Sequence, residues 1–369
     1  MPSSPTTTDE VTREHLTDAL RLGGVIGNDT AVAEVDHHPI GEGVGIVGQL
    51  ARLTLRYEGT AEGAPSSVVV KMPSQYPENR AVGEHFNFYE REARFYQQIG
   101  DKSPLRTPRC FHNHLDVDRR EFLLLLEDLG DRTLISQIAG MDAARAGVAL
   151  DALARLHAEW WDSPALDSLT WMPRLVDPVN LSAGEQYRQS WPAYLERFGD
   201  QLPDGAVAIG ERVKDVWEQL VVDTDARWPA TLCHGDFRAD NLMFDDDVEG
   251  RERVAVLDWQ IANRGPAMSD VSYLLTQSIE PEDRREAERE LVGRWFDTVC
   301  AALGAAPGDL TFDDVWRDYR LGALTCTVYP VVSGGTMDLA NERGRRLAEA
   351  MSRRAFTAAI ELDAADLLP

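Results

Sequence analysis

Three oxygen-bearing side chains in one stretch of the sequence have the types and spacing for chemistry. The stretch reads His234-Gly235-Asp236-Phe237-Arg238-Ala239-Asp240-Asn241-Leu242-Met243-Phe244 and, after a turn-rich Asp245-Asp246-Asp247-Val248-Glu249-Gly250-Arg251, Val254-Ala255-Val256-Leu257-Asp258-Trp259. Two short apolar runs separated by turn residues predict an antiparallel hairpin centred near residue 249. That register sets Asn241 opposite Leu257, one residue from Asp258, and brings Asp236 to the same end on the preceding loop. Taken singly, these residues read as the capping Asp and Asn of a polar hairpin. Assembled, two carboxylates and an amide make an all-oxygen set that suits Mg²⁺, not zinc, which favours nitrogen and sulfur.

A second group lies nearer the N-terminus. Ser67-Val68-Val69-Val70-Lys71 reads as a buried β-branched strand ending in a lysine, which must either snorkel to solvent or meet an anion. The next segment, Glu84 to Ile99, reads as a helix whose apolar face carries Phe88, Phe95, Tyr96 and Ile99. Glu92 falls on that same face. A carboxylate there is costly unless paired, so a Lys71–Glu92 ion pair is expected, with the ammonium also available to a nucleotide phosphate. Upstream, Gly43, Gly45 and Gly48 spell GxGxxG. A dinucleotide-binding fold would need a helix directly after them. Instead Arg52-Leu53-Thr54-Leu55-Arg56-Tyr57 alternates polar and apolar, the period of a strand. The glycines therefore join two strands, either as a flap over phosphates or as an ordinary glycine-rich hairpin, and a dinucleotide-dependent oxidoreductase is disfavoured.

The elements that must position these groups belong to a chain of 369 residues, 43% hydrophobic and 27% charged, enough for two to three domains or two lobes sharing a cleft. The simplest partition is a tail with a short helix over 1–30, capped by Thr12 or Thr17, a β-rich lobe over 31–127, and a mainly helical lobe over 128–369. Helices are expected over Ala143 to Trp161, 181–220 with a kink or break at Trp191-Pro192, and 284–304. His157, beside an apolar stripe, reads as a satisfied core histidine. A net charge of −25 argues against a nucleic-acid partner and suits either steering of a cationic substrate or, more simply, a soluble, self-repelling surface. No apolar run approaches the ~20 residues of a membrane span, and the N-terminus lacks the pattern of a secretory signal. Cys110, Cys233, Cys300 and Cys326 are widely spaced, as expected of reduced thiols in a cytoplasm.

With these motifs in place, the chain resembles the aminoglycoside phosphotransferase and choline kinase group of small-molecule kinases. The wording around the glycines and Leu257-Asp258-Trp259-Gln260 is most similar to the ecdysteroid-kinase-like branch and its bacterial relatives. The resemblance spans about residues 35 to 280. It implies an α+β, protein-kinase-like two-lobe fold and transfer of the ATP γ-phosphate, with Mg²⁺, to a hydroxyl of a small molecule such as an aminoglycoside, sugar, choline-like or steroid-like alcohol. By the same resemblance Asp236 is the catalytic base, Asn241 and Asp258 hold the metal, and Lys71, paired with Glu92, contacts the α- and β-phosphates. Backbone groups of Glu127 and Leu129, in an interlobe hinge, would read the adenine. Asp270 would brace the catalytic loop, or cap the helix that follows it.

Two features depart from protein kinases. Gly235 stands where they carry an arginine, and Asp270 follows Asp258 by only twelve positions, too few for a long activation segment. Protein substrates are therefore disfavoured. Trp160, Trp161, Trp191, Tyr194, Trp228 and Tyr329 are candidates to line an acceptor pocket, although aromatics at helical spacing usually belong to a core. The alternative from another class is a nucleotide-binding pseudokinase or regulatory module without turnover.

Overall fold

The computed structural model describes residues 5–41, 47–336 and 342–368. They divide into two compact units, one formed by 1–103 with 107–131 and the other by 104–106 with 132–369.

The first unit holds α1 (Arg13–Leu22), β1 (Ala31–Ile40), β2 (Gly48–Glu58), β3 (Ser67–Pro73), α2 (Pro77–His85), α3 (Phe88–Gln98), β4 (Cys110–Asp116) and β5 (Glu121–Glu127). Its five strands form an antiparallel sheet in the order β1-β2-β3-β5-β4. Strand alternation sorts the two faces. Ala51, Leu53, Leu55, Val68, Val70 and Met72 pack with Leu16 and Leu20 of α1 in one cluster. Thr12 caps α1 in a reciprocal box with His15. A strand begins at Gly48, the last of the three glycines, and runs to Glu58, as the alternation over 52–57 predicts. The helix expected over Glu84 to Ile99 needs correcting. Asn87 takes a left-handed φ of 58° and separates α2 from α3, a conformation that asparagine tolerates better than most residues.

The second unit holds β6 (Thr133–Leu134), α4 (Ala143–Glu159), α5 (Pro178–Leu181), α6 (Ala183–Phe198), α7 (Ala206–Ala226), β7 (Thr231–Cys233), β8 (Leu242–Phe244), β9 (Val254–Val256), β10 (Asn263–Gly265), α8 (Met268–Ser278), α9 (Pro281–Leu303), α10 (Phe312–Thr325), α11 (Val328–Thr336) and α12 (Glu342–Glu361). Two small sheets, β10-β7 and β6-β8-β9, sit among these helices. The expected 181–220 helix divides at 199–205, where Pro203 and a left-handed Gly205 intervene, and not at Pro192. α6 runs through Pro192 because its buried aromatics lock it in place: Trp191 stacks on Tyr187 and on Tyr194, each at 5.6 Å. Packing of this kind overrides local propensity. No helix of the described residues is long and apolar enough to cross a membrane.

Candidate functional site

In the first unit, Lys71 sits on the central strand β3, between β2 and β5. Because Val68 and Val70 face the α1 side, alternation turns Lys71 to the opposite face. There Nζ meets Glu92 of α3 at 2.7 Å from Oε2 and 2.9 Å from Oε1. Both side chains are buried, at 7% and 1% exposure, so each charge depends on the other. Gly48 opens β2 beside this lysine, and a Cβ built there would lie 3.7 Å from Lys71 Cε. Gly43 and Gly45 lie outside the described residues. Glu127 ends β5, and its N–H donates to the Arg109 carbonyl at 2.8 Å, so that donor is spent within the sheet. Leu129 is buried just beyond, and the intervening Asp128 accepts a forked pair from Arg52 at 2.7 and 3.0 Å.

In the second unit, β8 and β9 pair as Leu242↔Val256, Met243↔Ala255 and Phe244↔Val254, the register read from the sequence. It continues to the Leu257 N–H, which donates to the Asn241 carbonyl at 2.9 Å, leaving Asp258 one residue beyond. Asp258 has a φ of 62° and accepts from Gln260 at 3.3 Å. Asp236 is gripped from two sides. Asn241 Nδ2 donates to its Oδ2 at 2.9 Å and to its backbone carbonyl at 2.8 Å. Arg238 Nε forms an ion pair with Oδ1 at 3.0 Å, while Arg238 Nη1 lies 3.6 Å from Asp240. Burial disfavours the Arg238 charge, but Asp236 and Asp240 outweigh it and raise the guanidinium pKa.

The loop that carries Asp236 is held mostly through its backbone. Asp270, in the first turn of α8, accepts the N–H groups of His234 at 2.7 Å and Gly235 at 2.8 Å. His234 donates from Nε2 to the Leu257 carbonyl at 2.8 Å and accepts the Asp236 N–H on Nδ1 at 3.2 Å, tying the loop to the Asp258 strand. Gly235 has a φ of 82°, and a Cβ there would lie 2.5 Å from the Ile261 carbonyl. The backbone itself therefore requires glycine. Tyr329 donates to the Gly235 carbonyl at 2.9 Å and stacks on Tyr273 at 3.9 Å. Burial first, then the nearby Asp236 carboxylate, pushes the Tyr273 phenol well up.

The remaining candidates fall mainly in the core. Trp191, Tyr194 and Trp228 are buried, and Trp161 packs edge-on against Trp228. His157 accepts from Trp295 on Nδ1 and faces Asp270 through Nε2 at 3.4 Å, as a satisfied core histidine should. His157, Cys233 and Asp270 have ligand atoms within 4.8 Å of one another. Both histidine nitrogens are engaged, however, and burial pushes the Cys233 thiol well up, so this cluster reads as packing. Sequence reasoning missed Arg238, although it lies inside the motif, and Tyr273 and Gln137, which carry no local signal. For a divalent cation the fit lies at Asn241 and Asp258. Asn241 spends its Nδ2 on Asp236, which leaves Oδ1 as its ligand atom, and Asp258 supplies a carboxylate.

Residues 62–311 match APH, the phosphotransferase enzyme family. This chain belongs to the APH family. A choline kinase from Cryptosporidium parvum Iowa II shares the fold of this APH protein at a TM-score of 0.60 and 12% identity, covering 97% of this chain and 98% of that one. The chain accordingly has the protein-kinase-like α+β fold, β-rich at its N-terminal side and helical at its C-terminal side. An N-acetylmuramate/N-acetylglucosamine kinase from Caulobacter vibrioides is 32% identical over 209 residues, 52% of this chain and 54% of that protein. An uncharacterized oxidoreductase from Caenorhabditis elegans is 22% identical over 271 residues, 68% of this chain and 31% of that protein. The chain thus spans about half the length of the first of these two relatives and under a third of the second.

Proposed function

We propose that this APH protein is an ATP- and Mg²⁺-dependent phosphotransferase acting on a hydroxyl of a small molecule. The observation that carries the reading is Asp236, held between Asn241 and Arg238 on a braced loop with Asp258 one ladder step beyond Asn241. In this reading Asp236 accepts the proton of the acceptor hydroxyl as its oxygen attacks the γ-phosphorus. Asn241 orients that carboxylate through its amide. Lys71, kept in place by Glu92, neutralises nucleotide phosphates, with Glu127 and Leu129 at the adenine edge and Gly48, at the start of β2, beside the lysine. Asn241 and Asp258 would hold Mg²⁺, which supplies charge neutralisation for the transferred group when bound. Asp270 keeps the loop backbone in place without touching reactants.

The sugar kinase relative supports placing N-acetylmuramate and N-acetylglucosamine first among acceptors to test, ahead of choline, aminoglycosides, macrolides and sterols. All four cysteines are free thiols, which supports a reducing, cytoplasmic setting. The test is thermal stabilisation by Mg·ATP against NAD⁺, followed by phosphate transfer across that panel. Stabilisation by Mg·ATP together with transfer to one acceptor is expected. Binding without transfer to any acceptor would favour the pseudokinase alternative, and stabilisation by NAD⁺ alone would overturn the reading.

A further inference from the structure

Arg354 lies in α12, beyond the residues 62–311 that match the family. Its side chain is fully buried, and a buried guanidinium must find acceptors for its donors. Nη1 donates to the carbonyls of Gln137 at 2.5 Å and Gln277 at 3.0 Å, and Nη2 to that of Ile138 at 3.1 Å. Nε donates to Glu280 at 3.0 Å. One fork thus joins the segment before α4 to the end of α8. Gly140, with a φ of 77°, makes room for it, since a Cβ there would lie 2.9 Å from Nη2.

Gln137 passes this grip on. It is fully buried, and its N–H donates to Asp240 Oδ1 at 2.8 Å. Its Oε1 accepts from the Ala239 N–H at 3.0 Å and the Ser278 hydroxyl at 3.1 Å, while Nε2 donates to the Gln277 carbonyl at 2.7 Å. Ala239 and Asp240 form the turn between Asp236 and Asn241. Asp240 in turn faces Arg238, which pairs with Asp236. An unbroken series of polar contacts therefore runs from α12 to the Asp236 carboxylate.

We propose that Arg354 is a positioning residue of the phosphotransfer. From α12 it fixes Gln137, and through Gln137 the Ala239–Asp240 turn that aims Asp236 and Asn241. Its effect on turnover rests on the function proposed above; its effect on the loop does not. Lysine cannot substitute, because a single ammonium lacks the planar fork that reaches carbonyls on two segments.

The test compares Arg354→Lys with Glu280→Gln, which leaves the carbonyl bonds in place. The readouts are kcat and KM for Mg·ATP, normalised to nucleotide-binding sites by calorimetry, and amide exchange of the peptide 234–243 against one from α9. For Arg354→Lys we expect kcat per site to fall about 10–100-fold, as when a supporting contact is lost, with KM within about twofold. Exchange should quicken in 234–243 and stay unchanged in α9, while Glu280→Gln keeps its kcat. Wild-type kcat per site in Arg354→Lys, unchanged exchange in 234–243, or an equal loss in Glu280→Gln would overturn the proposal. Should Arg354→Lys not fold, Gln137→Met keeps the backbone bond to Asp240 but removes the side-chain contacts to the Ala239 N–H and Ser278 and must reproduce both effects in smaller measure; a wild-type kcat together with unaltered 234–243 exchange there overturns it equally. If wild type neither binds Mg·ATP nor transfers phosphate, the proposed function fails, and the exchange measurement still decides the Arg354 linkage.

Discussion

The Lys71–Glu92 pair and the Asp236 loop both place charge in buried surroundings, but by opposite means. The pair is a direct contact between two side chains, one cation on a central strand and one anion on a helix face. The loop owes its shape to many backbone bonds made by residues distant in sequence, among them Asp270, Gln137 and Tyr329. A pair can be exchanged as a unit. A loop held from several sides cannot, and its supports decide how well its carboxylate is aimed.

Replacement of one member of the pair should have the largest effect on stability. Glu92→Leu takes the carboxylate away from a buried ammonium and should cost about 3–5 kcal/mol in urea unfolding. The double variant Lys71→Met/Glu92→Leu should recover most of that loss, because an apolar pair can replace an ion pair of similar volume. A double variant as unstable as the single one would show that the pair is not separable, and the contrast with the loop would fail.

Asp270→Asn comes next. The loss of two charge-assisted bonds to His234 and Gly235 should cost about 1.5–3 kcal/mol. Unlike the pair, it should have no stabilising partner replacement, because its acceptors serve backbone N–H groups. Recovery of stability by a second substitution at His157, its side-chain neighbour at 3.4 Å, would contradict this.

The smallest expected effect lies at Arg52–Asp128, where the arginine is 40% exposed. Burial alone would raise the Asp128 pKa, but the Arg52 guanidinium, the Ser67 hydroxyl and the Gly130 N–H together lower it. A lowered folded pKa gives stability that is complete above the unfolded value of about 3.9 and is lost as pH falls through the folded one. Arg52→Gln should therefore cost about 1 kcal/mol or less at pH 7. The gap to wild type should hold at pH 5 and close below about pH 4. A gap that widens in acid would reverse the sign of this account.

The same contrast explains what could be read from sequence. The β8–β9 register was legible because a hairpin is local, so that turn composition and two short apolar runs fix which residues face each other. The Lys71–Glu92 contact was legible because a carboxylate on an apolar stripe needs a cation, and one strand ended in a lysine. Asn87 escaped because a left-handed break leaves the apolar stripe of α3 intact on one side. Pro192 misled because stacked rings, not backbone propensity, hold α6 together. Gln137 and Arg354 left no trace, since their decisive bonds cross 103 and 217 residues of sequence. Gly235 was noticed for the side chain it lacks, whereas its φ of 82° and the Ile261 carbonyl account for it.

The central claim is most directly tested by measuring phosphate transfer from Mg·ATP in wild type and Asp236→Asn side by side, with calorimetric nucleotide binding on both. The account predicts equal binding and a loss of turnover of about 10²–10⁴-fold, the usual contribution of a positioned general base. Undiminished turnover in Asp236→Asn would contradict it.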